Sequence, residues 1–188
     1  MFTYQVSTRC VCFLVSLFFF CGTPLFAVEQ ISPPEKEREL IEVLKTKPSA
    51  EKAIACKQLA IYGSKEAVPE MAQLLSDEQL SSWARIALEA IPDPAAGAAL
   101  LKATDSLNGL LLVGTINSIG VRKDAGAVQP LANHLKNKDA QVAAAAAVAL
   151  GQVGNSAATK ALRGSLTTTA GPVRSAVAEG CILCAERL

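Results

Sequence analysis

Residues 124–154, DAGAVQPLANHLKNKDAQVAAAAAVALGQVG, decide the fold of this chain. Their apolar residues follow the spacing of one face of an α-helix. Asp139 interrupts this pattern and Gly154 ends it. Aspartate commonly caps the start of a helix and glycine commonly follows its end. The stretch therefore predicts two antiparallel helices, near residues 125–137 and 140–153.

The pattern recurs along the chain. An alanine near the start of a first helix is found at positions 67, 96, 127 and 158, so the repeat has a nearly constant period. One helix pair of this size cannot bury its apolar face alone, so stacked copies are needed to make a core. The sequence predicts an all-α solenoid of about five helix pairs. The other helices are expected near 35–46, 49–62, 65–75, 78–91, 94–105, 107–120, 156–168 and 172–188, with a capping box at SDEQ, residues 76–79.

Two stretches carry a family resemblance, residues 63–94 (GSKEAVPEMAQLLSDEQLSSWARIALEAIPDP) and residues 124–154. They resemble HEAT repeats of the short bacterial type first noticed in phycobilisome lyases, and the resemblance extends over roughly residues 36–188. It implies an α-solenoid that binds other proteins, and secreted members with a signal peptide are common. The third repeat departs from the pattern, because NGLLLVGTINSIGVRKD at 108–124 has an exit two residues longer.

The N-terminal segment, residues 1–27, has the pattern of a cleavable secretory signal. Arg9 precedes an apolar run from Val11 to Phe20, Pro24 breaks it, and Ala27 offers a small residue for cleavage. An uncleaved membrane anchor and a lipoprotein signal at Cys21 are the alternatives. We predict a signal peptide at 1–27, a linker at 28–34 and a HEAT-like domain at 35–188. The protein would then be secreted or periplasmic, with no stable membrane insertion after signal removal.

The net charge and the aromatic content limit the classes of partner that the sequence predicts. Arg9 is the only charge of the signal, so the rest of the chain keeps 17 of the 18 basic residues against 17 acidic ones. This balance predicts no nucleic-acid partner. All six Phe lie in the signal, which leaves Tyr62 and Trp83 as the aromatic residues of the mature chain. The repeat register aligns Trp83 with Ile54 and Ala145, so we expect it to face the core.

The chain ends in EGCILCAERL, residues 179–188, with a Cys-x-x-Cys. A shift by one repeat aligns Cys181 and Cys184 with Leu150 and Val153, which favours core packing. Haem attachment would need a histidine after the second cysteine, and structural zinc would need four ligands. A redox pair stays open as an alternative, although such pairs usually lie at a helix start. Cys56 aligns with positions expected on the exposed side, so it would be the most accessible thiol.

Catalytic residues are not indicated. His134 is the single histidine of the sequence, near the end of a first helix, where a cation suits the helix dipole. The carboxylates are scattered without a convergent pair. We therefore predict no enzyme activity, no metal site and no cofactor.

The resemblance implies that the second helices line a binding groove. The groove positions would be 53, 56 and 60 and their equivalents, with Ser82, Arg85 and Glu89 as the candidate binding residues for a protein or peptide. The favoured function is a non-catalytic protein-binding scaffold or assembly factor of the cell envelope. The alternative is a thiol-based redox accessory or an appendage module of a larger envelope enzyme system. Ile182 and Leu188 at the apolar C-terminal end predict a homodimer or a continuation through the last repeat.

Overall fold

The four repeated alanines mark the core of the molecule. The computed structural model describes residues 33–187, and all four alanines are fully buried in it. An aliphatic residue four positions after each alanine is also fully buried, and residues four apart lie on the same side of a helix. These residues are Met71, Leu100, Leu131 and Leu162. The spacing of the repeated alanines in the sequence is therefore also the spacing of equivalent buried positions in the core.

Ten α-helices and no strand occupy residues 33–187. They form five consecutive pairs, as predicted, and we refer to the first and second helix of each pair. The first helices are α1 (Pro33–Thr46), α3 (Val68–Gln73), α5 (Pro94–Ala103), α7 (Val128–His134) and α9 (Ser156–Ser165). The second helices are α2 (Ser49–Tyr62), α4 (Ser81–Ala90), α6 (Gly109–Arg122), α8 (Ala140–Val153) and α10 (Gly171–Ala185). The predicted all-α solenoid is confirmed.

The second helices form a continuous row. Each contacts the next one along the chain, from α2 through α4, α6 and α8 to α10, and each also packs on its own first helix. A second helix inside the row is therefore covered on three sides. Only one narrow side of it is left to solvent.

Helices α3 and α7 are shorter than predicted. They have six and seven residues, with a 3₁₀ turn after α3 (Leu74–Ser76) and another before α7 (Ala125–Ala127). Both contain an early proline, Pro69 or Pro130. Proline lacks the amide that would bond the carbonyl four residues earlier, so the regular α-helical ladder cannot extend through it.

Asp139 caps a helix, as predicted: its side chain accepts a hydrogen bond from a backbone amide of the helix that follows. Asp93 and Asn155 cap the next helix in the same way. The capping box at residues 76–79 is wrong, because Asp77 accepts from the amides of Gln79 and Leu80 at 2.8 and 3.0 Å. Helix α1 begins at Pro33, two residues before the predicted start. The predicted signal peptide, most of the linker and Leu188 lie outside the described residues.

Candidate binding surface

Exposed large apolar side chains are confined to the second helices. Among residues 33–187 there are eight of them, and no first helix contributes one. Seven of them lie on the neighbouring helices α2, α4 and α6. Five of these seven, without Tyr62 and Leu110 at the helix ends, form what we call the second-helix surface. They are Ile54 at 58%, Ile61 at 75%, Trp83 at 41%, Ile86 at 51% and Val121 at 52% exposure.

The repeat register brings these side chains into line. Ile54 and Trp83 are one repeat apart and so occupy equivalent positions on α2 and α4. Ile61 of α2 and Val121 of α6 are also equivalent, after a shift of two repeats. The same outward position of successive second helices therefore carries an apolar side chain, and the surface runs across the helices.

Charge is missing from the middle of this surface. The exposed residues of α4 are Ser82, Trp83, Ile86 and Ala90, and those of α6 are Gly109, Leu110, Asn117 and Val121. None of them is ionisable. On α2, between Ile54 and Ile61, the same face includes one cation, Lys57, at the position equivalent to Ile86.

The predicted groove positions are rotated away from solvent. Cys56, predicted to be the most accessible thiol, is fully buried, as are its equivalents Ile116 and Ala147. These residues lie on the side of a second helix that faces the next second helix. The exposed row is 54, 57 and 61 rather than 53, 56 and 60, one residue later in sequence. One residue turns an α-helix by about 100°, so this small error moves a row from the surface to the interior.

The prediction for Trp83 is wrong in the opposite sense. It was expected to face the core with Ile54, and both side chains are exposed. The third residue of that alignment, Ala145, is buried at 8% exposure. The equivalent positions therefore differ along the row, from exposed at α2 and α4 to buried at α8.

The three candidate binding residues have different surroundings. Ser82 is exposed beside Trp83, whereas Arg85 and Glu89 are half-buried. The Arg85 Nη1 donates to the carbonyl of Gly114 at 3.0 Å and to the Ser118 hydroxyl at 3.2 Å. Its guanidinium therefore joins α4 to α6. The role of these three residues in binding stays a prediction.

A glycine makes room for this arginine. A Cβ at Gly114 would lie 2.7 Å from the guanidinium carbon of Arg85, so a side chain there would displace the guanidinium from its present position. The Arg85 Nε is buried without a hydrogen-bond partner. The position of Arg85 is therefore explained by its contacts with α6.

The C-terminal thiols differ from each other in exposure. Cys184 is fully buried, with its Sγ 4.0 Å from the carbonyl of Leu150, and this part of the core prediction is confirmed. Cys181 is half-buried against the core. Burial raises the pKa of the Cys181 thiol, the neighbouring Cys184 adds to the effect, and Arg163 opposes it. Both residues and Cys56 are free thiols.

Burial has a larger effect on Cys56. It raises the pKa of this thiol to about 11, although Lys52 and a backbone hydrogen bond oppose the rise. The thiolate is the reactive form of cysteine. Cys56 is therefore both inaccessible and protonated at neutral pH.

His134 ends helix α7 in a half-buried position. Desolvation lowers its pKa, and the charge of Asp105 only partly offsets this. The neutral imidazole is favoured at pH 7, so a cation at the helix end contributes little. Among residues 33–187, no three His, Cys, Asp or Glu side chains are grouped closely enough to hold a metal ion.

Arg122 is a buried cation whose role was not predicted from the sequence. Its side chain is 5% exposed and its Nε lies 2.9 Å from the Asp124 carboxylate. Its Nη1 donates to the carbonyls of Leu88 at 2.8 Å and Ile91 at 2.5 Å, and its Nη2 donates to that of Asp93 at 3.2 Å. The carbonyls of Leu88 and Ile91, at the end of α4, have no partner within their own helix, whereas Asp93 is the N-cap of α5. The longer exit of the third repeat, noted in the sequence, is the segment that holds this arginine.

A cleft of about 660 Å³ separates α3 from α5, with apolar walls that include Val68, Leu75 and Leu107, and with Lys102 and Asp105 at its edge. No helix within residues 33–187 has both the length and the apolar composition to cross a membrane.

Comparison with known proteins supports the repeat assignment. Residues 108–181 match a family model described as HEAT repeats. This range begins just before α6 and ends within α10. The chain is also similar to a crystal structure of an engineered protein from the Northeast Structural Genomics Consortium, at 21% identity and a TM-score of 0.48, over 81% of this chain and 80% of that one. No curated protein sequence matches it. The resemblance to HEAT repeats is thus confirmed in the C-terminal part of the chain.

Proposed function

We propose that this chain is a non-catalytic, protein-binding scaffold or assembly factor whose partner docks on the second-helix surface. The observation that carries the proposal is the confinement of the exposed large apolar side chains of residues 33–187 to the second helices. Contiguous apolar surface is a mark of protein interaction sites. HEAT repeats generally mediate protein–protein contacts, and the family match over residues 108–181 supports the same function.

The composition of the surface fits this role. Trp83 stands beside Ile86 on α4 and at the position equivalent to Ile54 on α2. Tryptophan is enriched among the residues that contribute most to binding, especially at the centre of an interface with aliphatic neighbours. The surface therefore has an aromatic anchor surrounded by branched aliphatic side chains.

The thiol-based alternative has less support. Cys184 is fully buried, and burial raises the pKa of Cys181. Working dithiols generally have an accessible thiolate with a lowered pKa. The pair also lies well inside α10, far from the helix start where the dipole would stabilise a thiolate.

Affinity capture from the native cell envelope tests the proposed function. We expect the wild-type protein to retain a specific partner and Ile86→Lys to lose it, because a lysine there places a charge within an apolar contact. Gln129→Lys is the control, since it adds the same charge at an exposed position of the first helix α7. Circular dichroism of both variants checks that the helices are intact. Equal retention by wild type and Ile86→Lys would exclude this surface.

We also propose that the protein is exported to the envelope and belongs among secreted bacterial proteins with short HEAT-like repeats. The support is the sequence pattern of residues 1–27. The mature chain is expected to begin at Val28, which intact-mass measurement of the exported protein decides. Replacing Ala27 by Phe should block cleavage and leave the longer species. A wild-type protein that keeps Met1, or that carries lipid on Cys21, would contradict the proposal.

A further inference from the structure

We infer that the partner segment is an amphipathic α-helix of three to four turns, lying across α2, α4 and α6 with an uncharged apolar stripe facing Trp83. This inference rests on the proposed function and names the kind of partner. Three properties of the second-helix surface carry it: its hydrogen-bonding capacity, its charge and its width.

Hydrogen bonding distinguishes a helix from an extended peptide. From Ile54 to Val121, the exposed positions of α2, α4 and α6 carry four side chains that can bond a peptide group: Lys57, Tyr62, Ser82 and Asn117. An extended segment brings one amide and one carbonyl per residue, and each such group left buried without a partner costs about 1–3 kcal/mol. A helix bonds its own backbone internally. An apolar surface with so few polar groups therefore suits a helix.

Charge restricts which face of that helix can dock. From Ile54 on α2 to Val121 on α6, the exposed positions of the three second helices carry one residue that is charged at neutral pH, Lys57. The nearby Arg85 guanidinium already donates to Gly114 and Ser118. A charge on the docking stripe opposite Trp83 or Val121 would be desolvated without a counterion, which is unfavourable. The stripe should therefore be uncharged, with an acidic residue accepted only near Lys57.

The width of the surface sets the length of the partner. Packed helices lie about 8–10 Å apart, so α2 and α6 are separated by about 16–20 Å. A helix rises about 1.5 Å per residue, so about 11–13 residues span this distance. Three to four turns present apolar residues at i, i+3, i+4, i+7 and i+8, enough to contact all three helices.

Selection from a random 16-residue peptide library displayed on phage tests the inference with the purified protein. Phage that bind wild type are kept after depletion on an Ile54→Lys/Ile86→Lys double variant. We expect the enriched sequences to place apolar residues three and four positions apart, and to lack charge on that face. Synthetic peptides of these sequences should become helical on binding, and binding should shift the Trp83 emission to shorter wavelength. Peptides made without tryptophan keep this signal specific.

The controls separate the possible outcomes. Gln129→Lys should bind the selected peptides like wild type, whereas Ile86→Lys should weaken binding at least tenfold. Enrichment of alternating or charged sequences, or no enrichment over the double variant, would overturn the helical partner. If that happens while the envelope partner is still lost in Ile86→Lys, the proposed function stands and the partner has another conformation. If no envelope partner is retained either, the proposed function fails as well.

Discussion

Arg122 shows how one residue can join successive repeats. Its guanidinium contacts carbonyls at the end of α4 from its place at the end of α6, and it pairs with Asp124 in the following turn. A cation near a helix C-terminus is favoured by the helix dipole, and here it also satisfies carbonyl groups that α4 leaves unpaired. Repeats 2 and 3 are thereby held in a fixed orientation.

Arg122→Met should destabilise the protein by about 2–3 kcal/mol, because it leaves several buried carbonyls and Asp124 without their donor. The figure is at the low end for a broken buried pair, since the Asp124 side chain is 40% exposed. Urea unfolding followed by circular dichroism measures the change. The control is Arg163→Met at an exposed position of α9, where a change within about 0.5 kcal/mol is expected. Equal effects in the two variants would contradict the role of Arg122.

Thiol labelling tests the burial of individual cysteines. In the native protein at pH 8, Cys181 should be modified first, because it alone of the three described thiols is partly exposed. Cys56, with its pKa of about 11, is about 0.1% thiolate at that pH and is inaccessible as well. Peptide mapping by mass spectrometry assigns each label. Rapid native labelling of Cys56 would contradict the burial of this side chain of α2.

The sequence predicted which residues repeat better than which way they point. Ala67 and its three equivalents were identified correctly, because a small residue recurs at each helix contact. Cys56 was predicted to be exposed and is buried, whereas Trp83 was predicted to be buried and is exposed. In α8, which reads AQVAAAAAVALGQV, small apolar residues surround the whole helix, so hydrophobicity cannot define its rotation. The orientation of α8 about its own axis is set by the helices that pack on its two flanks. The sequence of a single repeat does not show how those helices pack.

At the scale of helices, glycine sets how closely the second helices approach. A Cβ on Gly151 of α8 would lie 2.7 Å from the Gly180 Cα of α10. A Cβ on Gly120 of α6 would lie 2.9 Å from the Ala149 Cα of α8. The predicted groove included Gly120 and Gly151 as equivalents of position 60, and both are buried because another helix passes over them. Their position in the contact could not be read from one helix.

Gly151→Ala should therefore lower the free energy of unfolding by about 1–3 kcal/mol, the usual cost of overpacking a close contact. Gly164→Ala in α9 is the matched control, since nothing lies within 4 Å of a Cβ built there. Alanine has the higher helix propensity, so this control should raise stability by up to about 1 kcal/mol. Thermal unfolding of the two variants compares them directly. A stabilised Gly151→Ala variant would contradict the close approach of α8 and α10.

At the scale of the whole chain, the repeat produces a row of helices with two different kinds of position. One kind is buried in every repeat and is filled by alanine and leucine. The other varies in both residue type and exposure, from the exposed Ile54 and Trp83 to the buried Ala145, so each repeat can present a different side chain without changing the core. The apolar residues gather at α2, α4 and α6. Helix α10 instead exposes Arg174, Ser175 and Glu179 beside Ile182. The homodimer, or a continuation, through this last repeat stays a prediction.

Site-specific photo-crosslinking in living cells tests the central claim most directly. A photoreactive residue is placed at position 83 on α4 or, as the control, at the exposed position 129 on α7. We expect position 83 to form a discrete crosslinked product with one partner protein, and Ile86→Lys in the same chain to abolish it. Position 129 should form no such product. A strong product from position 129 and none from position 83 would contradict the assignment of the second-helix surface as the binding site.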